Sequence, residues 1–153
     1  MKVHTNWIKS FGAVLVAVML FAALPAGEVQ AATLTVCASG CNYSTIQAAI
    51  NAANPGDTIA VGAGTYEEQV TITKSLSLIG TDATIKAPTF GRSTLSQSGI
   101  TWDYVVAADG NGTPIDVMID GFTIDANLQG GSSTVNFAGV FLRDVSGTTP
   151  GLF

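Results

Sequence analysis

Histidine and positive charge are scarce in this sequence. Its 153 residues include one histidine, His4, and six lysines and arginines against eleven aspartates and glutamates. Because His4 lies in an N-terminal segment with the layout of a removable leader, the mature chain is expected to contain no Ser-His-Asp triad, no Cys-His pair and no His-ligated zinc site. Nucleic-acid binding needs clustered Lys and Arg, so the shortage of both argues against a nucleic-acid partner.

The N-terminus also lacks an apolar run long enough to cross a bilayer. Phe11 to Leu24 is apolar over about 14 residues, whereas a membrane-spanning helix needs about 20. Lys2 and Lys9 precede the run, and a small-residue cleavage site ending at Ala31 follows it, as in secretory signal peptides. We expect residues 1–31 to be removed and the mature protein to be secreted, to the periplasm, the cell surface or outside the cell, without membrane contact. An uncleaved membrane anchor is the alternative.

Cysteine is limited to Cys37 and Cys41. In an oxidising compartment this pair favours a small disulfide loop at the N-terminal edge of the fold. A redox or metal-binding role is the alternative, but the spacing is not C-x-x-C and no further ligands follow, so no metal site is predicted here. The expected stabilisation is modest, because so short a loop removes little entropy from the unfolded chain.

A short amphipathic helix is predicted after the cysteines. Ser44 and Gln47 have the spacing of a capping box, with Ser44 as the N-cap and Gln47 reaching back to its amide. Four apolar residues form one stripe at helical spacing: Ile46, Ala49, Ile50 and Ala53. Pro55 and Gly56 end the helix. Because a single stripe suits a helix that covers the open end of a sheet, residues 32–57 are predicted to form an N-terminal cap containing the disulfide loop and the helix.

After the helix the apolar period changes to two. Seven short β-branched or alternating runs follow: 58–61, 69–72, 75–79, 104–107, 117–119, 122–124 and 140–142. Strands this short, with no helices between them, exclude a doubly wound α/β fold and leave a sandwich, a barrel or a solenoid. The tetrapeptides that begin at Ile119 and Leu142 match in form and lie 23 residues apart. This spacing favours stacked repeats in which the apolar ends of each tetrapeptide face the core.

Five short motifs have the form found at the start of one known architecture, and a sixth has the form of a later coil: Ile46-Gln47, Ala49-Ile50, Pro55-Gly56-Asp57-Thr58-Ile59, Gly64-Thr65-Tyr66-Glu67, Lys74-Ser75-Leu76 and Gly139-Val140-Phe141-Leu142. Through them, residues 43–86 and 115–147 resemble the N-terminal part of the pectin-lyase-like superfamily. The resemblance implies an all-β fold, a right-handed parallel β-helix solenoid with a short N-terminal capping helix, in which residues 58–153 form the first coils. These motifs are specific for architecture and are shared by proteins of many functions.

Two features interrupt the regular pattern. Residues 87–114 are rich in Gly, Ser and Thr and carry Phe90, so they are predicted to leave the coil as a loop excursion that can include its own strand pair. Trp102 and Tyr104 share one face of an extended segment, where they either stack on sugar rings or pack against the coil wall. The sequence stops one turn after the last strand without a polar cap. We expect this to reflect a truncated sequence, and an edge capped by another chain is the alternative.

Outward-facing carboxylates near a cation are the candidate site. Strand alternation places Asp116, Asp120 and Asp125 outside the core, and the 23-residue spacing stacks Arg143 on the strand next to Asp120. Lyases of the superfamily hold Ca²⁺ with aspartates and use Arg or Lys as a base, whereas its esterases use two aspartates with Gln and Arg. By analogy with these schemes, the hypothesis is an acid/base or Ca²⁺ site at Asp120, Asp125, Arg143 and Asp144, although no catalytic residue of the superfamily can be carried over to this chain. A surface ion-pair column is the alternative.

Residues 109–113, Asp-Gly-Asn-Gly-Thr, mimic the start of a Ca²⁺-binding loop. Pro114 stands where such a loop needs its turn glycine, and no bidentate Glu follows. We therefore predict a tight turn at this segment instead of a Ca²⁺ site.

The expected function is that of the N-terminal part of an exported β-helix protein that binds or degrades a pectin-like acidic polysaccharide, as a lyase, an esterase or a glycoside hydrolase. A non-catalytic, adhesin-type cell-surface protein is the alternative, and in both cases the partner is a polysaccharide or a cell-surface glycan. Catalytic signatures of pectinesterases and pectate lyases lie on later coils, so the 153 residues are expected to be inactive alone. After leader removal the chain would contain four basic and ten acidic residues. This negative charge gives little attraction for a polyanion unless cations bridge the protein and the polymer.

Overall fold

The computed structural model describes residues 30–89, 92–127 and 136–146, which form one helix, α1 (Ile46–Ala52), and ten strands. The strands are β1 (Thr33–Val36), β2 (Thr58–Val61), β3 (Gly64–Glu67), β4 (Val70–Ile72), β5 (Leu76–Lys86), β6 (Thr94–Gln97), β7 (Ile100–Asp109), β8 (Ile115–Asp125), β9 (Asn136–Arg143) and β10 (Val145–Ser146). Every run predicted as a strand lies wholly or mostly within one of them. The predicted signal peptide, apart from its last two residues, and Phe90 lie outside the described residues. The described part of the chain contains no helix long and apolar enough to span a membrane.

The strands form two sheets with predominantly parallel pairing. In the first sheet the order is β1-β2-β5-β8-β10, and β3 also pairs with β5; in the second sheet β7 pairs with β4, β6 and β9. Parallel neighbours such as Thr58, Ser77 and Met118 lie in register on successive strands, which we call rungs. Among the described strands only β6 pairs antiparallel. The predominantly β, parallel architecture predicted from the sequence is confirmed, and it is compatible with a β-helix-like fold.

The first sheet turns a corner at two stacked glycines. β5 and β8 both run through this corner, and their register shifts between Ile79 and Ala83. A Cβ on Gly80 would lie 2.7 Å from the carbonyl oxygen of Gly121, and a Cβ on Gly121 would collide with the carbonyl group of Gly80. Gly121 also has a φ of +74°, a conformation that residues with side chains rarely adopt. The close approach of the two rungs therefore depends on glycine at both positions.

Inward-facing side chains of neighbouring rungs stack into one main core. Leu78 and Val106 are fully buried, each in a different sheet. Ile119 and Val140, their partners on the next rungs, are only partly buried and pack against the same core. Leu142 lies two residues beyond Val140, on the same face of β9, and is 42% exposed. Leu142 therefore lies on the core side of β9, as expected, but its side chain is not buried.

The N-terminus of α1 differs from the predicted capping box. The N-cap is Thr45, whose hydroxyl accepts a hydrogen bond from the amide of Ala48 at 3.3 Å, so the prediction of Ser44 was wrong. The side chain of Gln47 does not reach back to the cap. Its Oε1 accepts from the Thr71 amide at 2.8 Å and its Nε2 donates to the Thr71 carbonyl at 3.1 Å. Gln47 thus pairs with β4 as a neighbouring strand would, and this pairing joins the helix to the second sheet.

Charged side chains flanking β4 hold both ends of α1. The carboxylate of Glu68 accepts hydrogen bonds from the amides of Ile46 at 2.8 Å and Gln47 at 2.9 Å. At the other end, Nζ of Lys74 donates to the carbonyl of Ala53 at 2.8 Å. A negative charge at the N-terminus and a positive charge at the C-terminus both complement the helix dipole. The segment that carries Glu68 and Lys74 therefore fixes the helix over one end of the sheets.

Two further links fix the N-terminal edge. Asp57 is buried, 2% exposed, and accepts hydrogen bonds from the amides of Ala32 at 2.8 Å and Asn54 at 2.7 Å. These two hydrogen bonds, of which that from Ala32 has the larger effect, hold the pKa of the Asp57 carboxyl below its ordinary value. The predicted disulfide between Cys37 and Cys41 is present, with Cα atoms 5.5 Å apart. The Pro-Gly-Asp motif is therefore a structural link between β1 and β2.

The segment predicted as an excursion, 87–114, contains a hairpin and a regular strand. β6 and the first part of β7 pair antiparallel around Ser98 and Gly99, which have φ of +53° and +79°. Two consecutive residues with positive φ are what a tight two-residue hairpin turn requires. β7 then continues into the second sheet, where Val106 pairs with Val70 on one side and β9 on the other.

The predicted 23-residue repeat is wrong. Its two copies lie in β8 and at the end of β9, and these strands belong to different sheets. Ile119 pairs with Leu78, whereas Leu142 pairs with Ala108. The copies resemble each other because each has a residue with positive φ at its third position, Gly121 at +74° and Asp144 at +51°. The similarity thus reflects a shared local corner and not stacking on adjacent rungs.

Candidate functional site

The aspartates of β8 face outward, as strand alternation predicts. Asp116, Asp120 and Asp125 are all exposed. Asp120 lies in register with Ile79, and Asp125 lies in register with Lys86. All three carboxylates are therefore on the outer surface of the first sheet.

Arg143 binds Asp109 and not Asp120. Its Nε donates to Oδ1 of Asp109 at 2.8 Å, its Nη2 donates to Oδ2 of the same carboxylate, and its Nη1 donates to the carbonyl of Ser96 at 2.9 Å. Arg143 and Asp109 are register partners on β9 and β7. The predicted stacking of Arg143 beside Asp120 was wrong, because it depended on the 23-residue repeat. The arginine instead joins the end of β9 to the hairpin.

The electrostatics of this pair do not suit acid/base chemistry. The hydrogen bonds from Arg143 hold the pKa of Asp109 below its ordinary value. The same interaction raises the pKa of Arg143 above its ordinary value. A general base must be deprotonated near the working pH so that it can accept a proton, and an arginine paired with a carboxylate is harder to deprotonate than an unpaired one. Arg143 is therefore a structural cation in this arrangement.

Asp144 takes part in the predicted turn at residues 109–113. The amide of Thr113 donates to the carbonyl of Gly110 at 3.0 Å, and the two central residues, Asn111 and Gly112, have φ of +47° and +88°. Oδ2 of Asp144 accepts from the amide of Gly112 at 2.7 Å. The tight turn is confirmed, and the carboxylate of Asp144 braces it.

The four candidate catalytic residues do not assemble into one constellation. Asp120 and Asp125 lie on the first sheet, whereas Arg143 and Asp144 hold the hairpin and the turn after β7. No group of three or more His, Cys, Asp or Glu side chains in residues 30–89, 92–127 and 136–146 is arranged to hold a metal ion. The donor set that the resemblance implies for Ca²⁺ is not found within these ranges.

Trp102 and Tyr104 pack on the outside of the second sheet. Tyr104 is 3% exposed, and its hydroxyl lies 3.0 Å from Oγ1 of Thr71. Trp102 is half-buried, with its ring centroid 6.3 Å from that of Phe141. These residues form a second small apolar cluster with Ala107 and neighbours. Packing against the coil wall therefore describes Tyr104, and only Trp102 keeps an accessible ring.

Two buried aspartates on β7 were missed by the sequence interpretation. Asp109 is 7% exposed, and Asp103 is 6% exposed. Oδ2 of Asp103 lies 3.0 Å from Nε of Arg92, whose guanidinium stands 5.9 Å from the ring centroid of Phe137. The sequence signal was a pair of aspartates in an apolar strand, because a buried carboxylate needs a cation or hydrogen-bond donors. Arg92 and Arg143 supply the cations, so with Lys74 at the end of α1 three of the four basic residues outside the predicted leader serve the fold.

Outward side chains of β3, β5 and β8 form two columns across three rungs. One column is all threonine: Thr65, Thr84 and Thr123. The other is charged, with Lys86 between Glu67 and Asp125. Nζ of Lys86 lies 4.0 Å from Oε2 of Glu67, so this column contains a surface ion pair, and Asp125 lies in register beside it.

A groove opens beside Asp116 on the outer face of the first sheet. Its volume is about 410 Å³, and seven residues line it: Gly56, Ser75, Leu76, Ser77, Asp116, Val117 and Met118. The Asp116 amide donates to Oγ of Ser75 at 3.0 Å, and Oδ1 of Asp116 accepts from Oγ of Ser146 at 2.9 Å. Outward placement of Asp116 was predictable from alternation. Its position beside Ser75 was not, because the two residues are 41 positions apart and the intervening segment includes the whole hairpin.

No protein-family model matches the chain, and no curated protein is significantly similar to it.

Proposed function

We propose that the chain folds as the right-handed parallel β-helix of an exported protein, resembling the pectin-lyase-like superfamily, and that it binds a polysaccharide along its outer surface. The motif residues behind the resemblance support the fold through their contacts. Gln47 pairs with the backbone of β4, Asp57 joins β1 to the turn before β2, and the hydroxyl of Tyr66 donates to the Gly62 carbonyl at 2.8 Å. These contacts join the helix to the second sheet, join the N-terminal edge to the first sheet, and close the turn between β2 and β3, which gives these residue types a physical role in such a fold.

One observation carries the binding proposal: outward side chains of successive rungs stand in register. Parallel rungs are about 4.8 Å apart, so a column such as Thr65, Thr84 and Thr123 repeats a hydroxyl at a distance comparable with the length of one sugar unit. A surface that repeats along one axis suits a linear polymer better than a compact small molecule. Hydroxyl and carboxylate groups on such a surface can hydrogen-bond to sugar hydroxyls along the chain.

The proposal is for binding without turnover. Arg143, the candidate base, donates all its described hydrogen bonds to Asp109 and to a hairpin carbonyl. Asp120 has the apolar Ile79 as its register partner, and Lys86, the register partner of Asp125, is paired with Glu67 at 4.0 Å. A lyase or esterase site of the kind implied by the resemblance needs a carboxylate and a cation at the same bond. We therefore expect no cleavage of pectin by these residues.

Affinity electrophoresis of the purified chain tests the proposal. Gels cast with polygalacturonate, with and without Ca²⁺, are compared with gels containing xylan or galactan, with serum albumin as the non-binding control. Retardation in at least one glycan is expected, with no new reducing ends or unsaturated products after long incubation. Migration equal to the control in every gel would refute glycan binding. Turnover of polygalacturonate would show an enzyme in place of the binding protein proposed here.

A further inference from the structure

We propose that the groove beside Asp116 is a subsite for a neutral sugar unit that presents two adjacent hydroxyl groups. This inference rests on the proposed function, since it names the subsite and the class of sugar that the outer surface would take. The volume of the groove is about 410 Å³, which lies in the range of ordinary ligand sites, about 300 Å³ or more.

The carboxylate of Asp116 is held in place with acceptor capacity to spare. The backbone amide of Asp116 donates to Ser75, and Oδ1 of Asp116 accepts from Ser146. Within residues 30–89, 92–127 and 136–146, no side chain or backbone group donates a hydrogen bond to Oδ2 of Asp116. An ionised carboxylate has about four lone-pair sites, so Asp116 can still accept from two ligand hydroxyls. Such pre-positioning lowers the entropy lost on binding.

The rest of the groove supplies donors and an apolar surface. The hydroxyl oxygen of Ser75 accepts from the Asp116 amide, which leaves its hydrogen free to donate. Ser77 lines the same groove and is the register partner of Met118. Met118 is 38% exposed and lines the groove, so its side chain offers apolar surface there. A flexible thioether side chain packs readily against the C–H face of a sugar ring.

Charge selects a neutral unit over an acidic one. Asp116 lines the groove, and Asp120 follows on the same outer face of β8. None of the residues lining the groove is Lys or Arg. A uronate carboxylate would therefore meet a fixed like charge with no cation from the lining to offset it. This distinguishes the subsite from the acidic-glycan expectation that the resemblance carries.

Substitution of Asp116 by Asn tests the subsite. The amide side chain keeps the shape and one acceptor oxygen but loses the charge and half of the acceptor capacity. We expect Kd for xylan or galactan oligosaccharides, whichever the unmodified chain binds, to rise about tenfold or more by isothermal titration calorimetry. Met118→Ala should weaken binding of the same oligosaccharide, and trigalacturonate should bind the unmodified chain more weakly than the neutral oligosaccharide does.

Asp82→Asn is the matched control, because Asp82 is an exposed aspartate at the corner of β5, outside both columns and outside the lining of the groove. Asparagine also tolerates the positive φ of +51° at this position. The Kd of this variant should stay within about twofold of that of the unmodified chain. Equal urea midpoints for all variants would establish that folding is intact. If the chain binds a neutral glycan and Asp116→Asn leaves Kd unchanged, the subsite is wrong while the proposed function stands. If Asp82→Asn weakens binding as much as Asp116→Asn, the subsite is again wrong. If no glycan binds, the proposed function fails and the subsite with it.

Discussion

Replacement of Glu68 by alanine should destabilise the fold although Glu68 lies outside the helix that it supports. Its carboxylate accepts hydrogen bonds from the amides of Ile46 and Gln47, at 2.8 and 2.9 Å. Loss of an N-terminal cap costs about 1 kcal/mol of stability. Loss of a negative charge at a helix N-terminus costs about 0.5 kcal/mol more. We therefore expect the free energy of unfolding to fall by about 1.5 kcal/mol. Glu68→Gln keeps an acceptor oxygen and should lose roughly half as much.

Urea unfolding followed by circular dichroism measures this loss. Glu67 is the matched control, because it is the adjacent glutamate and its ion-pair partner Lys86 lies 4.0 Å away on the surface. Glu67→Ala should change the free energy of unfolding by no more than about 0.5 kcal/mol. If Glu68→Ala falls within the same limit, or if both alanine variants lose equal stability, the capping role of Glu68 is wrong.

Two further predictions concern the ionised carboxylate of Asp57 and the glycine corner at Gly121. Backbone hydrogen bonds, chiefly from Ala32, hold the pKa of Asp57 below its ordinary value, so its contribution to stability is complete above the unfolded carboxyl pKa of about 4 and is lost as pH falls through the lower folded pKa. The difference in urea midpoint between the unmodified chain and Asp57→Asn should accordingly shrink between about pH 5 and pH 2, and a constant difference would contradict the assignment. Gly121→Ala should lower the free energy of unfolding by more than about 2 kcal/mol, because the substitution combines a positive φ with a backbone collision. Gly112→Ala should lower it by only about 1 kcal/mol, because Gly112 also has a positive φ but has open space around its Cβ position. Equal losses of stability in melting experiments would argue against the close packing of the rungs.

The helix and the strands were predictable because their signals are local. The stripe from Ile46 to Ala53 has helical spacing, and alternation along β8 correctly placed Asp120 and Asp125 outside. The N-cap was misassigned because Ser44 and Thr45 are both cap-forming residues and residue type slightly favours Ser. The position of the first turn depends on Glu68, which lies more than twenty residues away and is not part of any local pattern.

The partner of Arg143 was not predictable from local patterns. A strand followed by a residue with positive φ looks the same in either sheet, so the tetrapeptides at Ile119 and Leu142 matched although they do not stack. The sequence distance between stacked strands varies with the segments that connect them, and the hairpin at β6 lengthens one connection without changing the strand pattern. Only the register places Asp109 opposite Arg143. The groove at Asp116 was not predictable either, because it also depends on the register between strands that are distant in sequence.

Cross-linking of cysteine pairs on adjacent rungs tests the central claim, the parallel in-register stacking of β5 and β8. Thr84 and Thr123 are register partners with outward side chains, about 4.8 Å apart, within the range that a disulfide spans. In a chain carrying Thr84→Cys and Thr123→Cys, mild oxidation should give the corresponding disulfide-linked peptide in a non-reducing digest. The pair Thr84→Cys and Asp120→Cys, which is out of register, should give little. A cross-link in the second pair and not in the first would contradict the stacking on which the fold, the columns and the groove all depend.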